Sequence, residues 1–279
     1  MLPFSLIKRT NNFYLRYGFI ATIKKILTSL LLVFGLKLER ANYNRERYNI
    51  ERKIFYTRKL TWCEKGYWFV DPKIKEDELN LFYEKVYWGS RINYGSTERD
   101  FIHWYIIKEL LGFFFKEKKT ILNFGAGHGG ISNIFWTHNH EIINVEPSNL
   151  PQSFKERWVN YKNIDKVPND CVDFFYGSHS LEHVADLDIF LDHVKRILKK
   201  NSYVFWEVPN GKHSKSGPVE NRIHAPHTYY FTKDFFDKEF KSIILNDYFE
   251  DSFGSGNYYS WKDYKDENGQ LIRVIGSYS

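Results

Sequence analysis

Sulfur is scarce in this chain of 279 residues, which has 2 cysteines and 1 methionine. Cys63 and Cys171 cannot build a disulfide framework, and no C-x-x-C pair exists to frame a zinc ribbon. A reducing compartment, the cytoplasm, is therefore expected. Long apolar runs are missing too: the longest, after Lys25, is about 11 residues, where a bilayer crossing needs about 20. No internal repeat or low-complexity tract interrupts the chain. Aromatic residues, by contrast, reach 19%, but they are spread from end to end, which fits core packing better than a platform for stacking bases.

The charge of +6 is unevenly placed. Residues 1–60 carry 13 Lys and Arg against only Glu39, Glu46 and Glu51, a net of +10 that leaves −4 for the remainder. A basic segment on a mildly acidic body points to an anionic partner for that segment alone. Within it, Phe19, Ile20, Ile23, Ile26, Leu27, Leu30, Val33 and Phe34 share one broad helical face, and Thr22, Lys24, Lys25, Thr28 and Ser29 take most of the other. A basic amphipathic helix lying on anionic lipid is the sharper reading, and packing on the body or on a second subunit is the plainer one. Its charged start and apolar middle resemble a signal peptide, but no small-residue cleavage site follows.

Downstream, Tyr67–Val70 reads as a strand stopped by Asp71-Pro72, and Glu76–Tyr87 as a helix with Leu79, Phe82, Tyr83 and Val86 on one side. A second helix is expected around Asp100–Phe115. Strands at Thr120–Phe124, Glu141–Val145, Val172–Tyr176 and Tyr203–Val208 then alternate with helices at Gly130–His138 and Leu187–Leu198. Such alternation implies a doubly wound α/β fold with a mostly parallel sheet. Asn268-Gly269, flanked by Tyr258–Tyr264 and Gln270–Ile275, predicts a closing antiparallel hairpin. Three parts are thus expected: a basic helical extension over residues 1–58, a lid over 59–115, and a ligand-binding catalytic domain over 116–279.

ILNFGAGHGG, residues 121–130, is the first chemical signal. Gly125, Gly127 and Gly130 spell the dinucleotide pattern G-x-G-x-x-G, while Gly125, Gly127 and Gly129 spell G-x-G-x-G. Either lets backbone pass close to a ligand. Glu146, 21 residues after Gly125 at the next strand end, is placed to accept ribose hydroxyls and supports a nucleoside without choosing which. Asn123 helps to choose. Two residues before Gly125, it is an acceptor for an amino-acid ammonium, which a nicotinamide dinucleotide lacks.

The run from ILNFGAGHGG through INVEPS, KNIDKVPNDCVDFFYGSHSLEHVADL and LKKNSYVFWEVPN resembles class I S-adenosylmethionine-dependent methyltransferases of Rossmann-like fold. It is most similar to the bacterial subgroup acting on small molecules, including sugars and quinone precursors. The resemblance covers about residues 116–279 and implies S-adenosylmethionine as cofactor, held by Asn123, Gly125, Ala126, Gly127, Gly129, Glu146, Asn163 and Ser178. Asn163, five residues before Pro168, stands where relatives place an Asp facing adenine, and Asn123 replaces a usual Asp or Glu. Both changes keep an acceptor oxygen and lose a charge.

Catalytic candidates follow from what a hydroxyl acceptor needs, a group that takes its proton. His179 and His183 of GSHSLEHV, and His227 ahead of Phe231-Thr232, are the candidates. His179-Ser-Leu-Glu182-His183 also matches H-x-x-E-H, the inverted zinc-peptidase pattern, but it directly follows a strand where that chemistry needs a long helix. No metal is expected. Cation binding through His179, Glu182 and His183, or a purely structural role of Glu182 and His183 in capping the next helix, are the competing readings. Lys212, Lys215 and Arg222 would suit a phosphorylated acceptor such as a nucleotide- or lipid-linked sugar. Arg91, beside Tyr87 and Trp88, is a candidate partner for the cofactor carboxylate. No N-P-P-Y-type segment of base-methylating relatives follows the fourth strand, so nucleic acid is not the expected substrate. The activity expected is O-methylation of a sugar-like metabolite in surface-polysaccharide synthesis. A cofactor-binding module without turnover and a nicotinamide-dependent oxidoreductase are the alternatives.

Overall fold

The computed structural model describes residues 44–87, 97–148, 155–213, 217–218, 223–240, 242–243, 249–251 and 271–277. The chain divides into two compact units, Met1–Ile50 and Glu51–Ser279. Of the first, only residues 44–50 are described, and they are helical. The amphipathic stretch over residues 19–34 lies outside the described residues, as do Trp88, Arg91, Lys215, Arg222 and the Asn268-Gly269 turn. Among the described residues no helix is long and apolar enough to cross a membrane.

The second unit is built on an eight-stranded sheet. Strands β3 (Thr120–Phe124), β4 (Glu141–Val145), β5 (Val159–Tyr161), β6 (Val172–Ser178) and β7 (Leu198–Pro209) are parallel in the spatial order β5-β4-β3-β6-β7. Beyond β7 the sheet turns antiparallel, with β11 (Leu271–Ser277) slotted between β7 and β10 (Phe249–Asp251), and β9 (Ser242–Ile243) also pairing β11. A doubly wound dinucleotide fold carries a sixth parallel strand at that edge, so the antiparallel strands set this sheet apart.

Side-chain alternation along the strands divides the core. Leu122, Phe175, Val204 and Trp206 join the cluster packed under α4 (Leu187–Ile197) and α5 (Lys233–Glu239). Ile121, Phe174, Tyr176 and Phe205 join the cluster under α2 (Glu98–Leu111) and α3 (Gly130–Thr137). Helix α4 shows why it forms: Leu187, Phe190, Leu191, Val194 and Ile197 are buried at helical spacing, and Asp186 caps its start by accepting from Asp188 N and Ile189 N. Each such side chain contributes about 1.5–3 kcal/mol on burial. The cap is therefore Asp186, and Glu182 and His183 are not the capping residues of this helix. Thr97 and Asp100 make a reciprocal capping box at the start of α2.

The expected lid shares this core. β1 (Lys59–Cys63) and β2 (Tyr67–Asp71) pair antiparallel, and β2 pairs β8 (Tyr229–Phe231) to complete a second, three-stranded sheet. Tyr67 joins the same cluster as Leu122 and Trp206, while Ile102, Ile106 and Ile107 of α2 join the other. Residues 59–115 and 116–279 consequently lie in one compact unit. The larger departures from the expected element bounds are these. The helix beginning as α1 (Glu76–Phe82) widens into a π turn over Tyr83–Tyr87, α2 ends at Leu111, and β7 starts at Leu198 with a register shift opposite Val172/Phe174.

Candidate active site

The strand order reverses between β4-β3 on one side and β6-β7 on the other, and open α/β sheets bind ligands at the carboxyl ends of strands at such a point. A cavity of about 450 Å³ sits there. Asn123, Gly125, Ala126, Gly127, Glu146, Ser178, His179, His183 and His227 all line it. Gly129 and Asn163 do not. Gly129 is the N-cap of α3 with φ +78°, and a Cβ on it would stand 3.0 Å from Trp158. Asn163 is exposed at the start of a 3₁₀ turn, Ile164–Lys166.

The glycine loop is held from two sides. Gly125 N and Ala126 N donate to the Val145 carbonyl at 2.9 and 3.2 Å. Glu146, itself buried, accepts from Gly127 N on one oxygen at 2.8 Å and from Ser148 N on the other at 3.0 Å. The acid expected to face a ribose is therefore also the clamp of the loop. Gly125 has φ +68°, and a Cβ there would meet the Ser180 Cβ at 2.7 Å, so only glycine leaves this corner open. Behind the loop, Asn123 Nδ2 donates to Ser132 Oγ at 2.9 Å, and Ser132 Oγ donates to Asn144 Oδ1 at 2.6 Å. The Asn123 amide is thereby oriented with its nitrogen engaged inside the fold, leaving its oxygen as the remaining acceptor.

The opposite wall follows β6. His179 takes a left-handed conformation, φ +49°, as its N–H donates to the Glu207 carbonyl at 2.8 Å. Leu181–His183 then form a 3₁₀ turn. Thr228 bolts this turn to the start of β8: its N–H and hydroxyl donate to the Glu182 carbonyl at 2.8 and 2.9 Å. That bolt brings His227 beside His183, with ring centroids 5.0 Å apart.

The three histidines differ in charge. His179 Nδ1 lies 3.4 Å from Glu182 Oε1 and its Nε2 lies 3.4 Å from Glu207 Oε1. Burial opposes its charge, but these two carboxylates raise it to about 9, so at neutral pH it is an imidazolium without a lone pair. In that state it has no free nitrogen to take a proton from an acceptor. Burial lowers His227 to about 3, and burial also lowers His183 against the pull of Glu182. Both are neutral at pH 7. His183 Nδ1 faces the Pro226 carbonyl at 3.3 Å and donates to it, which makes Nε2 the lone-pair nitrogen. Burial opposes the charge on Glu182 as well, but the imidazoles of His183 and His179 pull it down to about 2.

Sequence reading missed the layer beneath. Glu207 is fully buried on β7, and Arg273 is its register partner on β11, with Nε donating to Glu207 Oε2 at 2.6 Å. His103 of α2 donates from Nε2 to the same oxygen at 2.8 Å and accepts from the Tyr176 hydroxyl at 2.6 Å. Ser178 Oγ donates to Glu207 Oε1 at 2.9 Å. Burial opposes the Glu207 charge, yet His103 and Arg273 hold the carboxyl well below its usual range. The signal for this layer was a lone charge inside each apolar strand, VFWEVP and LIRVIG. Of the loop cations, Lys212 lies 3.5 Å from Asp234, which supplies its counter-charge.

A family profile described as a methyltransferase domain matches residues 99–265. No curated protein matches the chain. Among solved structures, an S-adenosylmethionine dependent methyltransferase from Mesorhizobium loti is 11% identical with a TM-score of 0.44, covering 62% of this chain and 96% of that one. A SAM dependent methyltransferase from Archaeoglobus fulgidus is 16% identical with a TM-score of 0.39, covering 62% and 93%.

Proposed function

The chain belongs to the methyltransferase-domain family, and we propose that it moves the methyl group of S-adenosylmethionine onto an oxygen of a small acceptor bound between the glycine loop and the histidine wall. The observation carrying this reading is the convergence of both on one cavity: a loop with no side chain at Gly125, clamped by Glu146, opposite two neutral imidazoles. The residues fit the donor. The Gly125–Gly127 backbone gives a close approach, the Asn123 oxygen suits an ammonium, and Glu146 keeps lone pairs for ribose hydroxyls after accepting its two backbone bonds. Gly129 supports the loop from outside the cavity. When bound, the donor supplies an electrophilic methyl on a sulfonium that is its own leaving group.

The chain's own task is then positional and protonic. An acceptor oxygen must lie in line behind the methyl, at about 3–3.5 Å. His183 Nε2 takes the acceptor's proton, because its tautomer is fixed by Pro226. The imidazolium so formed is stabilised by the Glu182 carboxylate, 3.6 Å away. His227, still less basic, orients the acceptor. His179, already charged, ties Glu182 to Glu207 and keeps the wall in place.

A sugar-like hydroxyl is the acceptor favoured by the subgroup resemblance, and the excess of basic side chains over residues 1–58 supports contact with an anionic membrane surface. Release of S-adenosylhomocysteine by the purified chain, across free and nucleotide-linked sugars, tests the reading. His183→Gln should lower kcat by about 100-fold or more while leaving S-adenosylhomocysteine affinity unchanged. Binding of NADH in place of the sulfonium, or undiminished turnover in His183→Gln, would sink it. Sedimentation with anionic vesicles, with and without residues 1–58, tests the membrane contact.

A further inference from the structure

We propose that Glu182, His183 and His227 form a binding site for a divalent transition-metal cation on the acceptor side of the cavity. Each offers one donor atom, and the three atoms all lie within 4.8 Å of one another. The donors come from two separate loops, the turn after β6 and the turn before β8, and Thr228 bolts these loops together through the Glu182 and Val184 carbonyls. Such a convergence does not arise from one helix face or one acidic run.

Three features distinguish the cluster from a merely buried polar group. The Glu182 side chain is 1% exposed, and among the described residues neither of its carboxylate oxygens accepts a hydrogen bond. A carboxylate taken out of water ordinarily gains donors to offset its desolvation. Here the nearest ring nitrogens stand off at 3.4 Å (His179) and 3.6 Å (His183) and make no hydrogen bond to it. Second, His227 Nδ1 is buried and finds no hydrogen-bond partner among the described residues. Third, His183 is oriented as metal-binding imidazoles usually are, one nitrogen on a backbone carbonyl and the other turned toward the remaining donors.

The donor set names the class of cation. Two imidazoles and one carboxylate match borderline ions such as Zn²⁺, Co²⁺ or Fe²⁺, whereas Mg²⁺ and Ca²⁺ call for oxygen donors throughout. His183 and His227 line the cavity and Glu182 lies behind them, so the open coordination positions face the acceptor. A cation there would occupy the two imidazole lone pairs, so His183 would serve as a base only in the metal-free protein. The binding site itself does not depend on the methyl-transfer reading.

Metal-stripped, untagged full-length protein titrated with Zn²⁺ by calorimetry, and with Co²⁺ by visible absorption, tests the proposal. One saturable equivalent is expected, with the d–d bands of a four- or five-coordinate Co²⁺ site. Removing a ligand should cost more than removing an outer partner does, so His227→Gln and Glu182→Gln should each weaken binding by about 100-fold or more. His138→Gln should bind as the parent does. S-adenosylhomocysteine affinity and the unfolding temperature, measured on the same samples, report separately on the donor pocket and the fold. His227 is only partly buried, so that variant keeps the test alive if Glu182→Gln does not fold. No stoichiometric uptake by the parent protein, or parent-like uptake by His227→Gln, overturns the site whatever the methyltransferase assay gives.

Discussion

Replacing Glu146 by Gln isolates what a single carboxylate does for the donor pocket. In the folded protein its two oxygens accept separate backbone bonds, from Gly127 N at 2.8 Å and from Ser148 N at 3.0 Å. Glutamine has one acceptor oxygen, and its amide nitrogen would point a donor at whichever N–H is left. One charge-assisted bond is lost outright, at about 1.5–3 kcal/mol, and the ribose hydroxyls lose a charged acceptor as well. Part of that loss falls on the loop before any ligand arrives, so the affinity measured includes the cost of re-ordering Gly127. Taking the single bond as the lower limit, S-adenosylhomocysteine should bind roughly 10- to 150-fold more weakly. Isothermal titration of parent and variant measures this directly, with circular dichroism confirming the fold. An affinity within about twofold of the parent would mean that Glu146 neither clamps the loop nor meets the ribose, and the pocket assignment would fail.

Other consequences can be checked in the same preparation. Gly125→Ala places a Cβ 2.7 Å from Ser180 Cβ at φ +68°. The left-handed backbone alone costs about 1–2 kcal/mol, so binding of S-adenosylhomocysteine should fall by about 5- to 30-fold in calorimetry if that strain falls on the ligand-bound loop. Glu207→Gln leaves the Arg273 cation buried without its counter-charge, and urea unfolding should show a loss of about 3–5 kcal/mol. The double variant Glu207→Met/Arg273→Met should lose less than either single change. Additive losses would mean that the pair is not coupled.

The pH dependence of stability has a definite sign at His140, which is 5% exposed and accepts the Lys119 N–H on Nδ1 at 3.3 Å. Burial, reinforced by the neighbouring charges of His138 and Lys119, lowers it from 6.5 to about 4. The unfolded chain therefore binds this proton first, and stability present above pH 6.5 is lost as pH falls toward 4. The full difference is of order 3 kcal/mol. In His140→Gln that segment of the urea-unfolding pH profile should flatten relative to the parent; parallel profiles would contradict the reasoning.

Much of this protein was legible as sequence because the signals are local. The strand–loop–helix around ILNFGAGHGG, the acid at the end of the next strand, and the alternation that makes the sheet doubly wound all depend on periodicity and on residues close in sequence. The structure keeps those strands within a few residues of their expected bounds. Seven of the eight expected cofactor contacts belong to, or follow directly from, those same strand ends, and among these only Gly129 stands outside the cavity. The exception in sequence terms is Asn163, which lies on a turn beyond β5 and is exposed. Its expected place rested on likeness rather than on a local physical constraint.

What the sequence could not decide is which distant side chains meet, because that depends on loops and strand registers set by packing. Glu207 meets His103 across 104 residues and Arg273 across 66, through a helix crossing and an antiparallel register that no local pattern encodes. Three histidines identical as letters become an imidazolium and two neutral rings only once Glu182 and Glu207 flank one of them and burial drains the others of charge. Glu182 and His183 looked able to cap a helix, but Asp186 caps it, and Thr228 draws the turn toward His227 instead. Local chemistry set the glycine-loop side of the cavity; the histidine wall is a product of tertiary contact, since charge state and donor geometry there belong to the assembled neighbourhood and to none of its residues alone.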